Sequence, residues 1–173
     1  MINSYPLKDF AASNESVLAK LAWALEASEG QFSLILAYCN YASLREQLIQ
    51  QLGELCSVQI RVIVLNDSHK TLYTTIRDEL GEEQPTALTV SGLEAVRDID
   101  RVLTSTNQVR EEFRKNFPFP LVLWVNDEIL EKLMRLVPDF ESWATTVEFA
   151  IATETLLHDL QQRADYLFTK ILD

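Results

Sequence analysis

The sequence is poor in the residues that specialised small-protein chemistry relies on. Its two cysteines, Cys39 and Cys56, are too few for a disulfide scaffold in 173 residues, and they form no CxxC pair. Both are expected to be reduced. The two histidines, His69 and His158, lie far apart in sequence, so no zinc-ligand spacing is visible. Four glycines and five prolines leave most of the chain free to form regular structure. Positive charge is also scarce. With 15 Lys and Arg against 26 Asp and Glu, the formal net charge is −11. That balance argues against a nucleic-acid surface, which needs clustered Lys and Arg, and against an anionic membrane surface for the same reason. A basic partner would fit the acidity, but solubility and mutual repulsion explain it without one. The apolar runs are strand-sized, and the opening MINSYPLKDF lacks the regions of a signal peptide. A cytoplasmic location with no membrane contact is the expectation.

What remains is an ordinary folding composition: 47% apolar and 24% charged residues place the chain among folded proteins rather than disordered ones. The length suits a single domain, residues 1–173, with a lead-in and helix over 1–30 and a C-terminal helix over 153–173. No internal repeat, low-complexity tract or linker interrupts it.

Taken in order, the residues to Ser13 read as an irregular lead-in. A helix follows from Asn14 to Glu29, with Val17, Leu18, Leu21, Ala22 and Leu25 on one face and Trp23 as a partly buried flank residue. Phe32 to Tyr38 is nearly unbroken in apolar character and reads as a central strand covered on both faces. The next helix carries Leu44, Leu48, Ile49, Leu52 and Leu55. Ser57 or Val58 opens a second strand through Leu65, whose alternating Gln59 and Arg61 place it nearer a sheet edge. Asn66-Asp67-Ser68 offers turn and cap side chains ahead of a helix with Leu72, Ile76 and Leu80, which Gly81 ends. Thr86 to Gly92 is a third strand, followed by one long helical region containing Ile99, Val102, Leu103, Val109 and Phe113. Leu121 to Val125 is a fourth strand, with Asn126-Asp127 at its C-terminal end. A helix with Ile129, Leu133 and Met134 stops at Pro138. Thr146 to Ile151 is a fifth strand, and a final helix runs from Glu154 to Leu172. Strands alternating with helices predict an α/β protein with three layers, α/β/α, and a mainly parallel five-stranded sheet.

The chemistry expected at such a sheet is missing. The first strand leads into Tyr38-Cys39-Asn40-Tyr41-Ala42-Ser43-Leu44-Arg45, which lacks the glycines and lysine of the phosphate-binding pattern G-x-x-x-x-G-K-[ST]. After the third strand, Ser91 stands where phosphoryl-transfer ATPases carry a Mg²⁺-binding aspartate, and a serine supplies no negative charge there. No catalytic residue, metal ligand or cofactor is assigned. Receiver-type acids are absent, Ser91-Gly92 is only part of a nucleophile elbow, and Cys39 reads as a buried structural cysteine rather than half of a Cys–His dyad.

Three segments, FSLILAYCNYASLREQL, TALTVSGLE and PLVLWVNDEILEKLMRLVPDFESWATTVEF, resemble the STAND-type P-loop NTPases, the signal-transduction NTPases with numerous domains, in their inactive bacterial versions. The resemblance covers Ser28 to Ala150. It implies a P-loop-NTPase-like sheet in the order 5-1-4-3-2 without competent nucleotide chemistry. It also implies an adaptor or regulatory module that binds protein in bacterial signalling or conflict response. The alternative is an atypical nucleotide-binding switch or weak NTPase. In it Arg45 replaces the lysine, Glu94 the missing carboxylate, and Asn126 stands at the polar-sensor position; ordinary surface and helix-capping roles compete for all three. A third class, an unrelated enzyme on the same sheet, lacks a complete constellation.

Two features suit a protein partner. Phe140 and Trp143 put two aromatics in one short turn, either as interface anchors or as a cap on the core. In the last helix Leu157, Leu160, Ala164, Leu167 and Ile171 recur at spacings of three and four. They read either as cover for the sheet together with Leu156, or as the seam of a homodimer.

Overall fold

The computed structural model describes residues 8–150 and 153–172. Five strands, β1 (Ser33–Tyr38), β2 (Ile60–Val64), β3 (Ala87–Ser91), β4 (Pro120–Val125) and β5 (Ala144–Glu148), form one sheet. Its order is β2-β3-β4-β1-β5, and each neighbouring pair is parallel. This is the expected order read from the opposite edge. The helices are α1 (Lys8–Ala27), α2 (Ala42–Leu55), α3 (Leu72–Leu80), α4 (Ile99–Gln108), α5 (Arg110–Asn116), α6 (Asp127–Leu136), α7 (Pro138–Glu141) and α8 (Thr153–Leu172), with a 3₁₀ turn at Leu93–Ala95.

Period-two alternation along the inner strands sorts the core into two halves. Leu34 and Leu36 of β1, Leu88 and Val90 of β3, and Leu121, Leu123 and Val125 of β4 face one side. There they meet Ile76 of α3, Leu103 of α4, Phe113 of α5 and Ile129 and Leu133 of α6. Ile35 and Ala37 of β1 and Val122 and Trp124 of β4 face the other side, under Leu21 and Leu25 of α1 and Leu48 and Leu52 of α2. Every residue of β3 and β4 is buried, Thr89 and Ser91 of β3 included, whereas β4 is apolar throughout. The polar atoms among them are satisfied: the indole N–H of Trp124 donates to Thr89 Oγ1 at 2.7 Å. Edge strand β2 buries only Ile63 and leaves Val62 and Val64 exposed.

Several boundaries differ from the sequence reading. Residues 8–13 belong to α1 rather than to an irregular lead-in, whose remainder, residues 1–7, lies outside the described residues. The long helical region after β3 is two helices, broken at Val109, whose φ of −109° and ψ of 19° leave the helical region. The break turns Phe113 into the core, where it meets Phe117, Phe140 and Tyr73 at ring separations of 5.0–5.6 Å. Strand β5 starts two residues before Thr146, and Ile151, its expected end, lies outside the described residues. Trp23 is 71% exposed rather than partly buried.

The largest difference concerns α8. Leu157, Leu160, Leu167 and Ile171 are 53–78% exposed, so they do not cover the sheet. The sheet's two faces are already filled by α1 to α7. The side chain of Leu156 lies outside the described residues. Phe140 is likewise corrected: it is fully buried against Phe113, so it holds α7 to the core and offers no surface to a partner.

Candidate functional site

In parallel α/β sheets ligands bind outside the C-terminal ends of the strands. Here β1 and β4 are neighbours, with Tyr38 in register with Val125, so Tyr38-Cys39-Asn40-Tyr41 emerges beside Asn126-Asp127. The turn from β1 to α2 consists of Cys39, Asn40 and Tyr41 alone. A turn that short has no backbone to wrap around a phosphate, and α2 follows it at once.

The space at these ends is occupied by the protein's own side chains. The Tyr38 hydroxyl donates to Asp127 Oδ1, and Asn40 Nδ2 donates to Asp127 Oδ2 at 3.1 Å and to the Tyr38 oxygen at 2.9 Å. The Asp127 amide returns a bond to Asn40 Oδ1 at 2.9 Å. The Tyr38 phenol is held above its ordinary pKa, chiefly because only its protonated form can donate to that carboxylate, with the neighbouring negative charge adding to the effect. This clamp pins the β1 turn to the start of α6.

Arg45 and Glu94, forty-nine positions apart, are brought together from α2 and the 3₁₀ turn as a hydrogen-bonded ion pair. The Arg45 side chain is 10% exposed and that of Glu94 28%. Arg45 is therefore already neutralised, and a phosphate would have to displace a carboxylate to reach it. Asn126 caps α6, its Oδ1 accepting the Ile129 N–H at 2.9 Å. Ser91 is buried, and the next residue, Gly92, has φ +84°. A Cβ there would lie 2.6 Å from the Leu65 carbonyl oxygen. This glycine thus permits a close approach to the end of β2. Cys39 is buried, chiefly by which its thiol pKa is raised, and its Sγ faces the Tyr41 carbonyl at 3.5 Å. Among the described residues no group of His, Cys, Asp and Glu is arranged to hold a metal, and no helix is long and apolar enough to cross a membrane.

The structure thus joins Arg45 to Glu94 and sets Asn126 apart as a cap. Trp143 sits half-buried, its ring edge-on to Phe32 at 6.4 Å and covered by the Arg114 guanidinium at 4.0 Å. The clamp was missed in the sequence, although its signal was there: an order that sets β1 beside β4 also sets Tyr38-x-Asn40 beside Asp127. A second cleft, of about 490 Å³, lies between Ser43 in the first turn of α2 and Gln162, Arg163, Tyr166 and Leu167 of α8.

No protein-family model matches the chain, and no curated protein matches it. Among solved structures it is similar to the Aeropyrum pernix ORC1 protein in complex with DNA, at 18% identity and a TM-score of 0.48. The match covers 88% of this chain and 49% of that one, so the chain spans about half the length of the protein it resembles.

Proposed function

We propose that this domain is a non-catalytic, NTPase-like adaptor or regulatory module acting through protein–protein contact, in the bacterial signalling or conflict setting that the STAND resemblance implies. The observation that carries the reading is α8, whose leucines at 157, 160 and 167 and Ile171 stand in solvent at heptad spacing. Burying such a row is worth about 1.5–3 kcal/mol per side chain, a driving force that the monomer leaves unused. The three-residue β1 turn, the Tyr38–Asn40–Asp127 clamp and the Arg45–Glu94 pair support the absence of turnover. The occupant of the α8 seam in this reading is a second copy of the chain. Light scattering on the purified protein tests it: a dimer that becomes a monomer in Leu160→Glu with Leu167→Glu supports the seam. A wild-type monomer at high micromolar concentration would sink the homodimer.

A second reading, an atypical nucleotide-binding switch, draws on Arg45 and Glu94, which the fold joins although they are forty-nine positions apart. It requires Mg²⁺–nucleotide affinity that falls in Arg45→Ala and Glu94→Ala.

A further inference from the structure

Beyond the C-terminal ends of β2 and β3, away from the clamp, lies a crevice of about 340 Å³. Its walls come from two turns far apart in sequence: Asp67, Ser68, His69 and Lys70 after β2, and Arg97, Asp98 and Arg101 at the start of α4. None of Arg45, Glu94 and Asn126 lines it. In a chain with 26 acids against 15 Lys and Arg, three of those cations meet here beside a histidine.

The acids of the wall are committed locally. Asp67 pairs with Arg97 at 3.5 Å, and Asp98 caps α4 by accepting the Arg101 N–H at 3.4 Å. Lys70 and Arg101 have no carboxylate within ion-pair distance among the described residues. His69 is oriented as well. Its Nδ1 accepts the Asn66 N–H at 2.9 Å, which in the neutral ring leaves the proton on Nε2. The crevice therefore brings an ammonium, two guanidinium groups and an imidazole together on its walls against two carboxylates, an excess of positive charge with Lys70 and Arg101 outside any ion pair among the described residues.

We propose that this crevice binds a small phosphoanion, with Lys70 and Arg101 as the charged donors and His69 Nε2–H as a third. A phosphoryl group suits the arrangement because its oxygens accept from several directions at once, whereas a planar carboxylate serves one guanidinium fork best. The volume lies at the small end for ligand sites, which fits a phosphate or pyrophosphate group rather than a whole dinucleotide. Binding here opposes the long-range field of an acidic domain, so the local donors must supply the affinity.

The test is calorimetric titration of the full chain with inorganic pyrophosphate at low ionic strength. A single saturable site is expected, weakened at least about tenfold in Lys70→Ala and in Arg101→Ala and largely retained in Arg101→Lys. Lys115→Ala, which removes the same charge from α5, should leave it unchanged. Both altered side chains are exposed, so thermal unfolding should confirm intact folding of each variant. No saturation by about 10 mM would overturn the site, as would equal weakening in Lys115→Ala. Citrate binding as tightly as pyrophosphate would overturn the phosphoanion assignment.

Discussion

At Gly92 a single hydrogen atom separates two strand ends. Substitution by alanine would force a left-handed backbone onto a residue with a Cβ and drive that Cβ to 2.6 Å from the Leu65 oxygen. Strain and overpacking together should cost about 2–4 kcal/mol, read as a fall in the urea midpoint. The Arg45–Glu94 pair should respond unequally to deletion. Glu94→Ala strands a guanidinium that is 10% exposed, whereas Arg45→Met leaves a carboxylate that water already reaches. Glu94→Ala should therefore be the more damaging by about 1–2 kcal/mol, and the double variant should recover part of the loss. Tyr38 gives a pH signature. Its folded pKa is raised, so the stability it contributes is complete below the unfolded value near 10 and is lost as pH rises through the higher folded value. Ultraviolet titration should show the Tyr38 phenol ionising above the ordinary phenol range, and Asp127→Asn should lower it.

Among the elements, α8 differs from the rest because Leu157, Leu160, Leu167, Phe168 and Ile171 are exposed and not part of either core. For α1 the pattern Leu18, Leu21, Ala22, Leu25 meets the sheet and is buried; for α8 an equally regular pattern meets solvent. Charged substitutions should then separate the two cases cleanly. Leu160→Glu with Leu167→Glu should abolish self-association and, compared with wild-type protein diluted to monomer, change unfolding free energy by no more than about 0.5 kcal/mol per site. Leu21→Glu should prevent folding, since it would bury a carboxylate without a partner. Periodicity identifies both helices but is silent on which apolar faces find a cover. That depends on how much sheet is left open after seven other helices have packed.

For the whole molecule, the decisive property is that the C-terminal ends of β1 and β4 are tied together by the Tyr38–Asn40–Asp127 clamp, while a crevice lies beyond the ends of β2 and β3. A nucleotide held at a hundred times its Kd would add about 2.7 kcal/mol of stability, enough to raise the midpoint by several degrees. With Mg²⁺ and millimolar ATP or GTP the shift should stay below about one degree, because the β1 turn is bonded to Asp127 and Arg45 is already paired with Glu94. A shift of several degrees would favour the nucleotide-switch reading instead.

The sequence by itself determined the alternation of strands and helices and the edge position of β2. These follow from apolar runs and alternation, which are local and need no knowledge of what lies opposite. Through the STAND resemblance it also anticipated the strand order. Tertiary structure alone decided which distant side chains meet: Tyr38 and Asn40 with Asp127, Arg45 with Glu94, and Lys70 with Arg101 across one crevice. It also decided that Phe140 belongs to the core and that α8 stands uncovered. Such contacts depend on angles and distances set by the packed sheet, and residues dozens of positions apart carry no mark in the linear chain of where the fold will place them.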